Sequence, residues 1–218
     1  MLVVCSICVA VLLPFSSVPE ARGFDGPDLL TQQIRTTAIK GETLEEVLGT
    51  LTSDYGIPIG MELGYQKITA RRREIDLNIT QTTLKDFLDA VIAKDPRYTW
   101  KLEGGVIHVR PLTGRDALLG ALLDTKISHF AFTGGGTRYR LFSDILSVPE
   151  IHTQLIVADV APLFILIGSI DRVGKGISFE ESNLTLRELL DRIILKTNIK
   201  RWVLVRWGEN GEFITLRS

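Results

Sequence analysis

A four-residue pattern that starts a helix recurs three times in this chain and constrains its fold more than any other feature. It occurs at residues 43–46 (TLEE), 83–86 (TLKD) and 185–188 (TLRE). In each copy a threonine is followed three residues later by a carboxylate, which is the pattern of a capping box at the first turn of a helix. Asp86 is shorter than the preferred glutamate. The pattern predicts three helices that begin just after these threonines.

Each of the three starts is followed by apolar residues at the spacing i, i+3, i+4 and i+7, which places them on one face of a helix. The three apolar stripes are Leu44, Val47, Leu48 and Leu51; Leu84, Phe87, Leu88 and Val91; and Leu186, Leu189, Leu190 and Ile193. Each helix must therefore bury one stripe against another layer of structure.

The second and third helices and their flanks repeat at a distance of 102 residues. The aligned identities are Ile75/Ile177, Thr83/Thr185, Leu84/Leu186, Leu88/Leu190, Asp89/Asp191, Ile92/Ile194, Lys94/Lys196, Trp100/Trp202 and Leu102/Leu204. Two unrelated amphipathic helices would share leucines by necessity, but they would not share the tryptophan or the lysine. The pattern therefore indicates an internal duplication.

Strand signals surround the helices. Apolar and polar residues alternate over residues 75–80, and again over 98–102 and 106–109 on either side of a turn at Gly104 and Gly105, which predicts a hairpin. The later copy repeats this plan with 202–205, a turn at 208–211, and 213–216. Residues 57–61 follow the first helix as a strand, and Gly56 is its expected stop.

These elements predict an α+β fold, made of repeated small β-α-β-β-α-β units with helices packed on one face of short mixed sheets. We expect an N-terminal segment at residues 1–23, a first domain at 24–112, and a second α+β unit at 113–218 that partly repeats the first. Within the second unit, residues 116–123 predict a short helix, and 130–132 and 139–141 flank a glycine turn at 134–136. Residues 155–160 predict a helical stretch that leads into a buried strand or helix turn at 163–167.

The N-terminal segment has the composition of a signal peptide. Residues 1–15 are apolar apart from Ser6 and two cysteines, and fifteen helical residues at ~1.5 Å each fall short of the ~30 Å hydrocarbon core. Pro14 and the small-residue pattern at 21–23 fit a cleavage region. No Lys or Arg precedes the apolar run, so an uncleaved N-terminal anchor is the alternative. Both cysteines, Cys5 and Cys8, lie in this segment, so a cleaved chain would contain no thiol.

The stretches 43–48, 54–59, 83–88 and 98–102 together resemble the short N-terminal domain shared by secretins and TonB-dependent receptors, the STN domain. The resemblance covers about residues 34–111, and a partial second copy lies near 177–217. It is a match of hydrophobic pattern and spacing, without a catalytic signature. It implies a periplasmic location and the docking of a partner protein by strand addition or a shallow surface contact.

Composition excludes several other classes of function. The net charge of −1 gives no electrostatic basis for binding nucleic acid, and the basic run at 71–73 is expected to be a solvated loop.

His108, His129 and His152 lack carboxylates at ligand spacing, so no metal site is predicted, and His108 is expected on the strand surface. Residues 168–176 miss the spacing of a phosphate-binding loop, and Gly176 replaces its Ser or Thr.

The remaining candidates for chemistry are explained more simply by structure. Carboxylate pairs at 45–46 and 180–181 are expected at capping or loop positions. The matched residues Trp100 and Trp202 are expected to fill the core. The alternative is that their rings form a platform on which a ligand stacks. The sequence therefore predicts no catalytic residue, no cofactor and no metal.

The leading hypothesis is an exported, non-catalytic module of the bacterial cell envelope that binds another protein through a strand edge or a helix face. One alternative is an envelope enzyme or carbohydrate-binding protein with a site in the middle segment. Another is a structural subunit of a secretion or pilus assembly. A flat surface with an open edge favours the first hypothesis, and a deep polar pocket between the two units favours the second.

Overall fold

The computed structural model of the protein describes residues 26–35, 38–67, 73–133, 137–163 and 178–218. Along the chain the elements are α1 (Gly26–Thr31), β1 (Gln33–Ile34), β2 (Ile39–Thr43), α2 (Leu44–Tyr55), β3 (Ile59–Gln66), β4 (Glu74–Leu77), β5 (Thr82–Thr83), α3 (Leu84–Lys94), β6 (Tyr98–Glu103), β7 (Val106–Pro111), α4 (Ala117–Asp124), β8 (Lys126–Phe132), α5 (Arg138–Leu146), α6 (Pro149–Val157), β9 (Ala161–Pro162), β10 (Phe179–Thr185), α7 (Leu186–Lys196), β11 (Arg201–Trp207) and β12 (Phe213–Arg217). Helices and strands in mixed sheets confirm the predicted α+β class.

The three predicted helix starts are confirmed. Thr43 and Thr185 each form a complete capping box with the carboxylate three residues later. At Thr83 the hydroxyl accepts from the Asp86 N–H at 3.2 Å, but the shorter side chain of Asp86 does not complete the box. All twelve stripe residues of α2, α3 and α7 are buried. At roughly 1.5–3 kcal/mol for each large apolar side chain, this burial stabilises the helices far more than their caps do.

A six-stranded sheet joins the two halves of the chain. Its strand order is β6-β7-β3-β11-β12-β9, so residues 24–112 and 113–218 contribute three strands each. The junction is the pair β3–β11, which is parallel and sets Ile59 opposite Arg201 and Gly60 opposite Trp202. Strand β3 is also parallel to β7, and both of its edges are therefore paired.

Helices cover both faces of this sheet. Alternate residues of a strand point to opposite faces. On one face, Ile59 and Met61 of β3 pack with Val203 of β11 and with helices α1, α2 and α3. On the other face, Trp202 and residues of β12 pack with helices α4 to α7. Each half thus keeps its helices on one face, and the two halves place them on opposite faces of the shared sheet.

The two halves follow the same order of strand pairings. In the first, β2 and β4 pair antiparallel, β6 and β7 form a hairpin, and β3 lies parallel to β7. In the second, β8 and β10 pair antiparallel, β11 and β12 form a hairpin, and β9 lies parallel to β12. A common origin of the two halves stays a prediction.

The middle of the chain differs in part from expectation. Helix α4 begins after Asp116, whose carboxylate accepts from two backbone N–H groups, as predicted. Residues 139–141 belong to α5, which begins after the capping residue Thr137. The helical stretch expected at 155–160 is α6, which begins at Pro149 and ends at Val157, since proline fits the first turn of a helix. Residues 1–23, 71–72, 134–136 and 164–177 lie outside the described residues.

Candidate functional site

Strand β6 forms one edge of the six-stranded sheet. It is held by a tight hairpin, because Gly104 and Gly105 have φ values of 57° and 82° and so permit a two-residue turn. This turn sets Glu103 opposite Val106 and fixes the register of β6 with β7. In the described part of the chain, no strand pairs with the other side of β6.

The open side of β6 presents backbone hydrogen-bonding groups. The Leu112 N–H donates to the Arg97 carbonyl at 2.8 Å. Hydrogen-bonded positions alternate along an antiparallel pair, so every second residue from Arg97 to Glu103 faces β7. The N–H and C=O groups of Trp100 and Leu102 therefore point away from the sheet. They form a template on which another strand can pair.

Helix α3 flanks this edge on one face of the sheet. The indole Nε1 of Trp100 donates to Oδ1 of Asp89 at 2.9 Å, which fixes the ring against the helix. The second carboxylate oxygen of Asp89 accepts from Lys85 at 2.7 Å. Hydrogen bonding to Lys85 is the main reason that the pKa of Asp89 is lowered. An aromatic ring and an exposed ion pair therefore lie beside the open backbone groups.

The same arrangement recurs at β11 and α7, where a strand already occupies the corresponding side. Trp202 donates to Asp191, again at 2.9 Å. Strand β11 pairs with β12 on one side, as β6 pairs with β7, but on its other side it pairs with β3. Gly60 of β3 lies opposite Trp202, and a Cβ atom at Gly60 would be 2.9 Å from the indole Nε1 and closer still to two ring carbons. The tryptophan ring thus covers the glycine.

His108 lies in the same row of residues, on the other side of Gly60. Its Nε2 is 3.2 Å from Oδ2 of Asp191, and the ring centroids of His108 and Trp202 are 6.0 Å apart. The side chain of His108 is only 5% exposed. The prediction that His108 is a surface residue is therefore wrong, because α7 from the other half of the chain covers this face of the strand.

Glu62 lies two residues beyond Gly60 and faces α7 as well. Its carboxylate is almost fully buried and lies 2.8 Å from Nε of Arg115 and 3.5 Å from Nη2 of Arg187. Hydrogen bonding to Glu62 raises the pKa of Arg115. Glu62 is thus paired with two cations from the second half of the chain, and its ion pair with Arg187 links β3 to α7.

Corresponding residues are more exposed at β6 than at β11. Trp202 and Leu204 are fully buried, whereas Trp100 and Leu102 are half-buried. The side chains of Arg187 and Asp191 are each 19% exposed, whereas those of Lys85 and Asp89 are 57% and 49% exposed. The difference follows from the elements that cover β11 and α7, which are β3, His108 of β7 beside Asp191, and Asp124 of α4 near Arg187. Of the two tryptophans, Trp202 lies in the core as expected, and Trp100 lies at the edge.

The other candidate residues are dispersed. His129 lies on β8 with its Nδ1 3.8 Å from Oε1 of Glu180, and His152 is exposed on α6. Among the described residues, no group of three or more His, Cys, Asp or Glu side chains could hold a metal ion. Arg73 is exposed and lies outside the helices and strands.

The two carboxylate pairs have distinct roles. Glu46 completes the cap of α2, and Glu45 binds Arg217 at 2.7 Å. Glu180 and Glu181 belong to β10, not to a loop as expected, because that strand begins before them at Phe179. Glu181 is buried and binds Arg192 and Lys196 of α7, each at 2.5 Å. It fastens the small sheet of β8 and β10 to the helix.

No family model matches the chain, and neither a curated protein nor a solved structure matches it significantly. The resemblance to the STN domain therefore stays a prediction. In the five described ranges, no helix has both the length and the apolar character needed to cross a membrane.

Proposed function

We propose that this protein is an exported, non-catalytic interaction module of the bacterial cell envelope, which binds an extended segment of a partner protein along the open edge of β6. The observation that carries the proposal is the exposed backbone of Trp100 and Leu102 beside α3. The matching side of β11 holds a strand in the same molecule. Strand addition at such an edge is a common mode of peptide recognition.

The energetics of this edge suit a reversible partner. Trp100 and Leu102 together offer two N–H donors and two C=O acceptors to an added strand, and each net hydrogen bond contributes about 0.5–1.5 kcal/mol. Burial of the exposed parts of the Trp100 and Leu102 side chains adds to this at about 25 cal/mol per Å². Part of the gain is offset by the ordering of the bound segment.

Substitution of Leu102 by proline tests the edge directly. The Leu102 N–H points away from the sheet, so proline removes a donor for the partner without removing a hydrogen bond to β7. The matched control is Leu102→Ala, which loses the same side chain and keeps the N–H. The assay is photo-crosslinking of the full chain from position 101, where the exposed Lys101 is replaced by a photoreactive residue, in the envelope of a bacterial host.

We expect one envelope protein to be crosslinked, and we expect L102P but not L102A to abolish that product while both variants stay folded by circular dichroism. A crosslinked product of equal yield in both variants would overturn the proposed edge. Export is tested separately by fractionation of the same cells, with the mass of the recovered chain showing whether the N-terminal segment is removed. Recovery of the protein only from the cytoplasm would overturn the envelope location.

A further inference from the structure

We infer that the segment bound at β6 runs parallel to it and carries a glycine opposite Trp100 and an acidic residue two positions later, opposite Leu102. This inference rests on the proposed function and specifies its ligand. The internal pair β3–β11 is the template, because β3 occupies at β11 the place that the ligand would occupy at β6.

The hydrogen bond that positions the Trp202 ring beside β3 has a counterpart at β6. The bond from Trp202 to Asp191 corresponds to the bond from Trp100 to Asp89, with the same length of 2.9 Å. Each aspartate lies five residues after the first residue of its helix. The orientation of the indole ring relative to its helix is therefore set in the same way at both places.

The direction of the ligand strand and the glycine within it are inferred from the register of β3 with β11. Strands β3 and β11 are parallel, with Gly60 opposite Trp202. The ring of Trp202 lies where a side chain at position 60 would project. Because Trp100 is fixed in the same way, a ligand residue opposite it must leave the same space, and glycine does so at no steric cost.

The acidic residue of the ligand is inferred from the cation at the second residue of the flanking helix. In the template, Glu62 lies opposite Leu204, and two cations lie near its carboxylate: Arg115 at 2.8 Å and Arg187, the second residue of α7, at 3.5 Å. The second residue of α3 is Lys85, which is also a cation and is 57% exposed. A lysine ammonium has three donors, so Lys85 can bond to a ligand carboxylate and keep its bond to Asp89. Lys85 thus selects a negative charge at this point of the ligand.

The test uses a fluorescent peptide with the sequence of residues 57–63, IPIGMEL, and measures its binding to the purified protein by anisotropy. We expect saturable binding that is abolished by L102P in the protein. Replacement of the peptide's glycine by valine should weaken binding at least tenfold, because the valine side chain meets the Trp100 ring. Replacement of its glutamate by lysine should weaken binding about fivefold.

A charge exchange locates the bound peptide. The Lys85→Glu protein should bind the lysine peptide better than the parent peptide, reversing the preference of the wild type. If the peptide displaced the protein's own β3 instead, its preference would depend on Arg187, and K85E would change nothing. That result would overturn the inference.

The direction of the bound peptide is determined by NMR, with a nitroxide label attached to either its N-terminal or its C-terminal end. In the parallel arrangement, a C-terminal label broadens the amide signals of Glu103 and Gly104, and an N-terminal label broadens those of Tyr98 and Thr99. The reverse pattern would overturn the inference. Absence of peptide binding, combined with an envelope partner that is lost in L102P and kept in L102A, would overturn the inference and leave the proposed function standing.

Discussion

The indole Nε1 of Trp202 lies 2.9 Å from Oδ1 of Asp191 and donates a hydrogen bond to it. The ring is fully buried between α7 and β3. The equivalent bond from Trp100 to Asp89 has the same length but lies at the open edge, where water can reach it. One chemical interaction is thus present in two environments within a single chain.

Substitution of each tryptophan by phenylalanine should show how much the stabilisation from the tryptophan–aspartate hydrogen bond depends on burial. We expect Trp202→Phe to lower the free energy of unfolding by about 3 kcal/mol, because it combines a lost hydrogen bond to a charged acceptor with a cavity in the core. We expect Trp100→Phe to lower it by about 1 kcal/mol, since water replaces the indole as a donor to Asp89. Urea unfolding measures both values. Equal losses would show that the edge is as well packed as the core.

Gly60 is required at its position by the ring of Trp202 and not by its backbone conformation. We expect Gly60→Ala to lower the free energy of unfolding by about 2–3 kcal/mol, because the new Cβ overlaps the indole ring. In a Trp202→Leu background the same substitution should cost less than about 1 kcal/mol, since the overlapping atoms are removed. Urea unfolding of the four proteins closes the cycle. Additive losses would mean that the ring and the glycine do not interact.

Local features of this fold could be predicted from the sequence, because they depend on residues a few positions apart. The capping threonines, the apolar stripes and the β6–β7 hairpin are of this kind, since a cap spans three residues and the hairpin is closed by two glycines. The cap at Thr83 also showed the expected effect of the shorter Asp86.

The pairing of β3 with β11 could not be predicted in this way. It joins residues from opposite halves of the chain, and no local pattern in the sequence states which strand lies beside which. The prediction that His108 lies on the surface was wrong for the same reason. Alternation along β7 shows which face the side chain points to, but the cover over that face is α7, which follows much later in the chain.

The candidate site was only partly visible in the sequence. The repeat at 102 residues pairs Trp100 with Trp202 and Asp89 with Asp191, and these four residues form the two tryptophan–aspartate hydrogen bonds. The open edge itself is a property of the backbone and of strand order, and therefore leaves no residue signature. A signal was nevertheless present in the match of Lys85 with Arg187, two cations at the second position of equivalent helices.

Glu181 should make part of the stability depend on acid pH. Its pKa is lowered from its ordinary value of 4.5, chiefly because its carboxylate accepts a hydrogen bond from Lys196, and Arg192 adds to the effect. Since the folded-state pKa lies below the unfolded value, these ion pairs stabilise the fold above about pH 4.5. That contribution is lost as the pH falls through the folded-state pKa.

Comparison with Glu181→Gln isolates this contribution. We expect the variant to be less stable than wild type by about 1 kcal/mol at pH 7, and we expect this difference to shrink as the pH falls below 4.5. Urea unfolding between pH 3 and 7 measures the difference. The control is Glu180→Gln on the same strand, whose side chain is 75% exposed and which should follow the wild-type curve. A constant gap between wild type and E181Q at all pH values would contradict the assignment.

Arg115 should contribute more to stability than its partial exposure suggests, because its partner Glu62 is buried. The side chain of Arg115 is 38% exposed, and that of Glu62 is 1% exposed. Arg115→Ala removes the closer of the two cations and leaves the carboxylate with Arg187 at 3.5 Å. Loss of one partner of a fully buried pair costs about 3–5 kcal/mol, and the exposure of Arg115 reduces our expectation to about 2 kcal/mol.

Arg115→Ala combined with Glu62→Met should recover most of that loss, because the buried carboxylate is removed together with its closer cation, and Arg187 keeps Asp124 at 4.0 Å. The exposed pair of Lys101 and Glu103 gives the control, since Lys101→Ala should change the free energy of unfolding by less than about 0.5 kcal/mol. Urea unfolding at pH 7 compares the four proteins. If the double variant is less stable than Arg115→Ala alone, Glu62 contributes through its ion pair with Arg187, and that ion pair becomes the main polar link between the two halves of the sheet.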